Sequence, residues 1–372
     1  MTEMQIDRLS VKDKEEYSSF LIAAYKDQFN SQRFSETESV YRFWQWEYVD
    51  NPAAVKGYPF IWLARIDGKI AGQFCLMPVT LKVGDKTLKG GWCQNFIILP
   101  QYRKMGIGRA LVSHVIKAHK EHLDALLVAG TNDTSYSIFK NLGIADAGYI
   151  PLYVKINKLD SIVKGKIKNK FFASLVSELG TAALGLFYFP GYVRKYFQAS
   201  DENICIEEIT SFDDSFDKLW ESASAELSLA VKRDSTYLNW RFISEPYWDY
   251  KIFKAFRKDS DDTAGYIVLR EGESRGLHTG VISDIFTSVS DPDTIIALIN
   301  FVVSYFKKKD DVDIIRCDLL NKYAGKALRS CGFLSIPSNT RLMLADIKNK
   351  GRENWFFDYS DSDLDLSGQM NA

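Results

Sequence analysis

A cluster of aromatics ending in proline occurs once in each half of the chain. Trp46-Glu47-Tyr48-Val49-Asp50-Asn51-Pro52 and Trp240-Arg241-Phe242-Ile243-Ser244-Glu245-Pro246 share the form W-x-[YF]-x-x-x-P. Ala71-Gly72 then has a partner in Ala264-Gly265 at almost the same offset. Further on, 126–144 resembles 314–334, with Asn132 matching Asn321 and Gly143 matching Gly332. Three matches in one order indicate a duplication rather than two unrelated modules. The 372 residues suffice for two domains of ordinary size.

Each half reads the same way locally: a helical opening that ends at the Trp-Pro motif, alternating apolar segments with turns such as Asp67-Gly68, then helix, strand and short helix. In the first half the strands fall at 60–66, 71–83 and 91–99. The helix after Gly106 sets Ile107, Leu111, Val115 and Ala118 on one face. The expected fold class is mixed α/β, α+β-like in its segregation, with a central mixed sheet flanked by helices in each half. Lys plus Arg (47) nearly cancels Asp plus Glu (48), so no global field recruits nucleic acid. Five cysteines without a C-x-x-C spacing speak against a disulfide framework and a zinc site. His114, His119 and His122 share one helix, but only the last two share a face, so no metal is expected. The opening MTEMQIDRLSVKDKEE lacks the apolar run of a signal peptide, which fits a cytoplasmic protein.

Chemistry concentrates in FIILPQYRKMGIGRALV, where an apolar strand ends at Pro100 and a loop delivers Arg103-x-x-Gly106-x-Gly108 to the start of an amphipathic helix. Glycines admit left-handed angles and close approach, and unpaired N–H groups at a helix start point at an anion. Arg103, Lys104 and Arg109 add positive charge there.

This stretch resembles the Q/R-x-x-G-x-G/A loop of the GNAT superfamily, and Asn132-x-x-Ser135-x-x-Ile138-Phe139-Lys140-x-x-Gly143 resembles its N-x-x-A-x-x-L-Y-x-K-x-G-F segment. The resemblance implies two tandem GNAT-like domains. Residues 1–157 form one with an acyl-CoA loop, 158–200 a helical connection, 201–346 a degenerate copy and 347–372 an acidic tail. It also implies acyl-CoA, acetyl-CoA first of all, along Phe96, Ile97, Ile98 and Leu99. The pyrophosphate would sit on the amides of Arg103, Lys104, Met105, Gly106, Ile107, Gly108 and Arg109, and the pantetheine arm near Asn132 and Phe139.

Two departures stand out. Phe139 occupies the position where the family often has the tyrosine that protonates the leaving thiolate, and the strand before the loop offers Gln94 and Asn95 instead of a glutamate. Tyr136 is a candidate substitute acid, with a core tyrosine as the plainer reading. Asp133 and Glu47 are candidate bases because they lie beside motif residues. In the second copy, Pro292 and Ile295 align with Arg103 and Gly106, and Asp291 and Asp293 would repel a phosphate. The expected activity is N-acyl transfer to a small-molecule amine such as an amino sugar or sugar nucleotide. O-acyl transfer differs only in acceptor, and a non-catalytic coenzyme A-binding scaffold is the alternative of another class.

Other segments carry weaker expectations. Trp46 and Trp240 recur together, which suggests packing more than ligand stacking. The lysine-led apolar stretch Phe171 to Phe189 contains Glu178; burial between the halves is expected there, and membrane contact is not. The acidic end FFDYSDSDLDL, 356–366, reads as a solvated tail, or else as a segment folding over the acceptor cleft with Asp361 or Asp363. Nothing in the sequence sets an oligomeric state.

Overall fold

The computed structural model describes residues 3–25, 36–158, 203–274, 276–347 and 352–366. The expected connection at 158–200, with Phe171 to Phe189, lies outside them apart from its first residue. Among the described residues no helix is long and apolar enough to cross a membrane.

The first half runs β1 Met4–Arg8, α1 Lys14–Tyr25, α2 Thr37–Trp44, β2 Ile61–Ile66, β3 Lys69–Val83, β4 Lys86–Ile98, α3 Ile107–Ala118, β5 Ala125–Ala129, α4 Asp133–Asn141, β6 Ala145–Tyr149 and β7 Leu152–Ile156. Asp67 and Gly68, at φ 48° and 80°, make the tight turn joining β2 to β3. The second half repeats the series with β8 Ile204–Ile209, β9 Leu229–Val231, β10 Lys251–Arg257, β11 Thr263–Ser274, β12 Leu277–Thr287, β13 Ile314–Leu320, β14 Leu334–Ile336 and β15 Arg341–Ala345. Its main helices are Asp214–Ser224, Pro292–Lys307 and Lys322–Ser330, and β16 Trp355–Asp358 follows.

The sheet exchanges strands between the halves. β15 pairs antiparallel with both β5 and β6 of the first half, while β7 pairs antiparallel with β13 and β14 of the second. Each half therefore shows the same order, β1-β2-β3-β4-β5-β15-β6 and β8-β10-β11-β12-β13-β7-β14, closed by the other's strand. Boundaries at 157 and 346 thus do not separate the halves in space, a correction to the sequence division. The apolar pattern of 152–156 shows that it is a strand but cannot say which sheet receives it. β9 and β16 bridge the two sheets between β3 and β13.

At the centre both W-x-[YF] motifs form π-helical turns, Gln45–Val49 and Asn239–Ile243, each extending a preceding helix. Trp46 and Trp240 stack at 4.9 Å with 13° between their planes, and both are buried. Trp46 Nε1 donates to the Trp240 carbonyl at 2.9 Å and Trp240 Nε1 to the Trp46 carbonyl at 2.8 Å. The indoles pack against one another across the halves, as expected from their recurrence. Trp46→Ala removes the stack and leaves the buried Trp240 carbonyl without its donor, so we expect a loss of about 3–5 kcal/mol in urea denaturation. A midpoint equal to that of the wild type would contradict this role.

Candidate active site

β4 and β5 run parallel from Gly90↔Ala125 to Cys93↔Val128, where the ladder stops, although β4 continues to Ile98. The divergence begins at a bulge: Asn95 and Phe96 oppose Phe74 on β3, with Asn95 at φ 50°. Beyond it, side chains of β4 alternate. Phe96 and Ile98 pack on the α3 and α4 side, and Ile97 and Leu99 on the α1 side. What 96–99 offers a ligand is therefore the strand's backbone edge.

The loop turns through Pro100–Tyr102, then Lys104 at φ 65° and Gly106 at φ 80°, the left-handed N-cap of α3. A Cβ on Gly106 would meet nothing within 4 Å, so glycine is needed there for its backbone angle; one on Gly108 would come 3.1 Å from Phe96 Cζ. Buried Ile107 anchors the helix start while Arg103, Lys104, Met105 and Arg109 are exposed around it. Arg103 Nε donates to the Ile98 carbonyl at 3.1 Å, folding its charge over the strand end. The first-turn N–H groups lie beside three exposed cations, a combination that suits a diphosphate. Glycines and basic residues thus fit a coenzyme A tail.

The remaining sequence candidates are dispersed. Asn132 caps α4, accepting from Ser135 N at 2.9 Å, and stands exposed at the mouth of the divergence. Phe139 is buried against Phe74 and Phe96, supporting the strand from behind rather than lining an opening. Tyr136 donates its hydroxyl to Asp146 at 2.9 Å beneath the Arg341 guanidinium, so it serves the joint with β15 and not a leaving group. Asp133 is exposed on the first turn of α4, accepting through its carbonyl from Ser137. Glu47 is fully buried on the opposite, α1 face.

Glu47 belongs to a buried polar cluster under the bulge, with Tyr17, Tyr48 and Cys75. Gln94 Nε2 donates to Tyr48 at 3.1 Å, and Tyr25 donates to Asn95 Oδ1. Burial raises Tyr48 and Tyr17 well above the usual phenol range, and the Cys75 thiol and Glu47 carboxylate push the same way. Gln73 (0% exposed) and Gln94 (4%) retain amide atoms with no hydrogen-bond partner, as does buried Ser18 Oγ. Gln73 escaped the sequence reading, with a lone amide inside an apolar strand pattern as its only signal; Gln94 entered it only as a departure from an expected glutamate, and Tyr48 only as part of the aromatic motif.

The corresponding place in the second half is altered, not closed. β16 inserts beside β13, with Leu320 opposite Phe357, and a cavity of about 420 Å³ remains among Thr287, Pro292, Ile295, Asn321, Tyr323 and Arg329. The loop there spans only 288–291 against 99–106, so Asp291, not Ile295, stands where Gly106 caps α3. Asp291 accepts from Thr294 N at 3.2 Å and meets Arg257 at 2.9 Å, occupying that helix start with the chain's own anion.

The segment after β16 corrects the solvated-tail reading. Arg233, buried, contacts Asp284 at 3.1 Å, Asp358 at 3.1 Å and Asp361 at 2.9 Å. Asp365 takes Arg270 Nε at 2.9 Å, the Tyr250 hydroxyl at 2.7 Å and Ser283 at 3.2 Å. Acidic residues this dense are buried because arginines from elsewhere in the second half meet them. Elsewhere, Glu271, His278 and Asp311 approach metal-ligand spacing, but Lys309 already contacts Glu271.

Within a mixed α/β fold, a bulged, diverging strand pair thus leads to a glycine-turned helix start ringed by exposed basic side chains. Residues 19–144 match the acetyltransferase (GNAT) family. An N-alpha-acetyltransferase of Sulfurisphaera tokodaii is 31% identical over 101 residues, covering 24% of this chain and 59% of that protein. The chain thus spans about three fifths of that relative's length. Among solved structures, a GCN5-related N-acetyltransferase from Anabaena variabilis superposes with TM-score 0.59 at 13% identity over 93% of this chain and 73% of that one. Saccharomyces cerevisiae N-myristoyltransferase with bound myristoyl-CoA gives 0.57 at 13% over 94% and 84%. At such identities the likeness is one of fold. Loop and family match together make residues 19–144 similar to the acetyltransferase (GNAT) family, within a chain that shares its overall fold with acyltransferase structures.

Burial holds the Asp361 carboxyl up at about 7, Asp358 acting in the same sense and Arg233 against it. Because the folded state binds this proton more tightly than the unfolded chain, Asp361 costs stability as pH rises from 3.8 towards about 7. Asp361→Asn, which resembles the protonated form, should therefore gain on the wild type across that window in denaturation measured at pH 5 and pH 8. A difference independent of pH would contradict the assignment.

Proposed function

We propose that the chain is an acyl-CoA-dependent N-acyltransferase that moves an acyl group, acetyl first of all, to the amine of a small molecule such as an amino sugar or sugar nucleotide. The asymmetry of the halves carries this reading. In the first, the divergence after Cys93, the left-handed Gly106 and the cations Arg103, Lys104 and Arg109 follow one another from strand end to helix start. In the second, β16 takes the strand edge and Asp291 caps the helix start, so the cavity that remains there has an aspartate where the first half has a glycine and no counterpart of its basic cluster on the loop.

On this reading, residues from Arg103 to Arg109 bind the diphosphate, and the β4 edge at 96–99 aligns the pantetheine arm towards the bulge. The acceptor ammonium loses one proton to solvent, its nitrogen bonds to the thioester carbonyl carbon, the C–S bond breaks, and the nitrogen gives up a second proton as the departing thiolate takes one up, leaving an amide and the coenzyme A thiol. A strand amide near the bulge can stabilise the oxyanion. Positioning supplies up to roughly 7–11 kcal/mol in favourable cases. The scaffold alternative is favoured by one observation: Phe139 has no hydroxyl and Tyr136 spends its own on Asp146.

Acetyl-CoA with a panel of amino sugars, amino acids and polyamines tests the choice: thiol release with an acetylated amine supports transfer, and binding without release supports the scaffold. Calorimetry should count one coenzyme A per chain. Gly106→Val strains a left-handed position and should weaken that binding roughly tenfold or more, whereas Asp291→Gly should leave it unchanged. A stoichiometry of two would place the cofactor wrongly.

A further inference from the structure

The two halves differ in what lies between their paired helices. With Asn132 matching Asn321, Ser135 and Ile138 of α4 correspond to Ala324 and Ala327 of the helix Lys322–Ser330. In the first half Ile138 Cδ1 and Phe96 Cζ lie 3.8 Å and 3.1 Å from where a Cβ on Gly108 would stand, so α4 closes on the start of α3. Two alanines cannot reach as far. Between the helices Pro292–Lys307 and Lys322–Ser330 a cavity of about 420 Å³ stays open, a volume within the range of small-ligand pockets. Ile295 and Ile296 form one wall, Ala324 and Ala327 the other, and Ile285 and Phe356 the floor. That floor is set in advance: Phe356 packs on Phe286 at 5.4 Å between ring centres and lies under the Arg233 guanidinium at 4.5 Å.

The mouth has a different character. Tyr323, Lys326 and Arg329 follow at a spacing of three along one face of their helix, and all three are exposed where they line the cavity. Among the described residues no carboxylate lines it. The acids closest along the chain are already engaged. Glu226 accepts from Ser288 Oγ at 3.3 Å and Ser290 N at 3.1 Å, and Asp291 meets Arg257 at 2.9 Å. Neither Lys326 nor Arg329 forms an ion pair among the described residues, and Arg329 reaches only the Tyr153 hydroxyl, at 3.4 Å. An apolar interior that opens on two unpaired cations favours a ligand with an apolar body and one negative end. A nucleotide diphosphate is disfavoured, because Asp291 already caps the helix start where its phosphates would sit.

We propose that this cavity is a second ligand site, which binds an apolar monocarboxylate with its body between the helices and its carboxylate on Lys326 and Arg329. The site is separate from the acyl-CoA cleft of the first half and stands whether or not acyl transfer occurs there. Duplication has thus left two ligand cavities of different chemistry, one for a diphosphate at a glycine-turned helix start and one for a single carboxylate on the flank of a helix.

Calorimetric titration of the full chain with decanoate and with naphthoate tests this, with decanol and decylamine as neutral and cationic counterparts. Saturable binding of at least one carboxylate is expected, and which of them binds tells whether a chain or a ring fits between the walls. Ala327→Ile, which installs the first half's side chain, should fill the space and weaken that binding roughly tenfold or more. Lys326→Glu alters only an exposed side chain and should weaken the carboxylate roughly threefold or more while leaving decanol unchanged. If Ala327→Ile fails to fold, Lys326→Glu decides. Absence of saturable binding by either carboxylate overturns the proposal. So does decylamine bound as tightly as decanoate, or carboxylate binding indifferent to Lys326→Glu.

Discussion

Two indoles that donate to each other's backbone are the contact on which the rest of the structure depends. The π turn ends each helix just past the tryptophan, leaving the Trp46 and Trp240 carbonyls among the terminal groups that need an outside donor. Each finds it in the other ring. A contact in which residue i meets j and j meets i is what a two-fold dimer interface has, here within one chain. It fixes both sheets at one angle, and from that angle β7 and β15 can each reach the opposite sheet.

Symmetry at the axis makes the divergence around it informative. The residue after the shared tryptophan is Glu47 in one half and Arg241 in the other. Arg241 donates to the Ser360 carbonyl at 2.7 Å and faces Asp365, gripping the C-terminal segment. Glu47 instead lies buried beside Tyr17 and Tyr48 beneath the bulge. One position thus carries opposite charges in the two halves, and in the second it clamps the C-terminal segment. Buried charges of this kind add little net stability against well-packed apolar residues, but losing one partner is costly, so they specify where the segment goes.

Much of this was legible in the residues. The duplication, the glycine loop and the failing second loop all rest on short-range chemistry: a positive φ at Gly106, free amides at a helix start, an aspartate where an anion would have to sit. The exchange of β7 and β15 was not legible, because an apolar strand carries no mark of which sheet it joins. The acidic end misled for a related reason. Its aspartates read as solvated until Arg233, Arg241 and Arg270, distant in sequence, supply the counter-charge. Tyr136 and Phe139 were placed on the correct helix, but only tertiary contacts show one hydroxyl spent on Asp146 and one ring sealed in the core.

The exchanged strands also set an order of events at synthesis. The first sheet carries the cleft, yet its β5 edge stays unpaired until residues 341–345 have been made, and β7 waits for β13 in the same way. A nascent chain emerging at roughly 5–20 residues per second must therefore carry an open, apolar strand edge through most of its translation. Such long-range closure is slow and exposes the edge to other chains. The same interlock that would make the finished molecule hard to open makes its half-made form the vulnerable one.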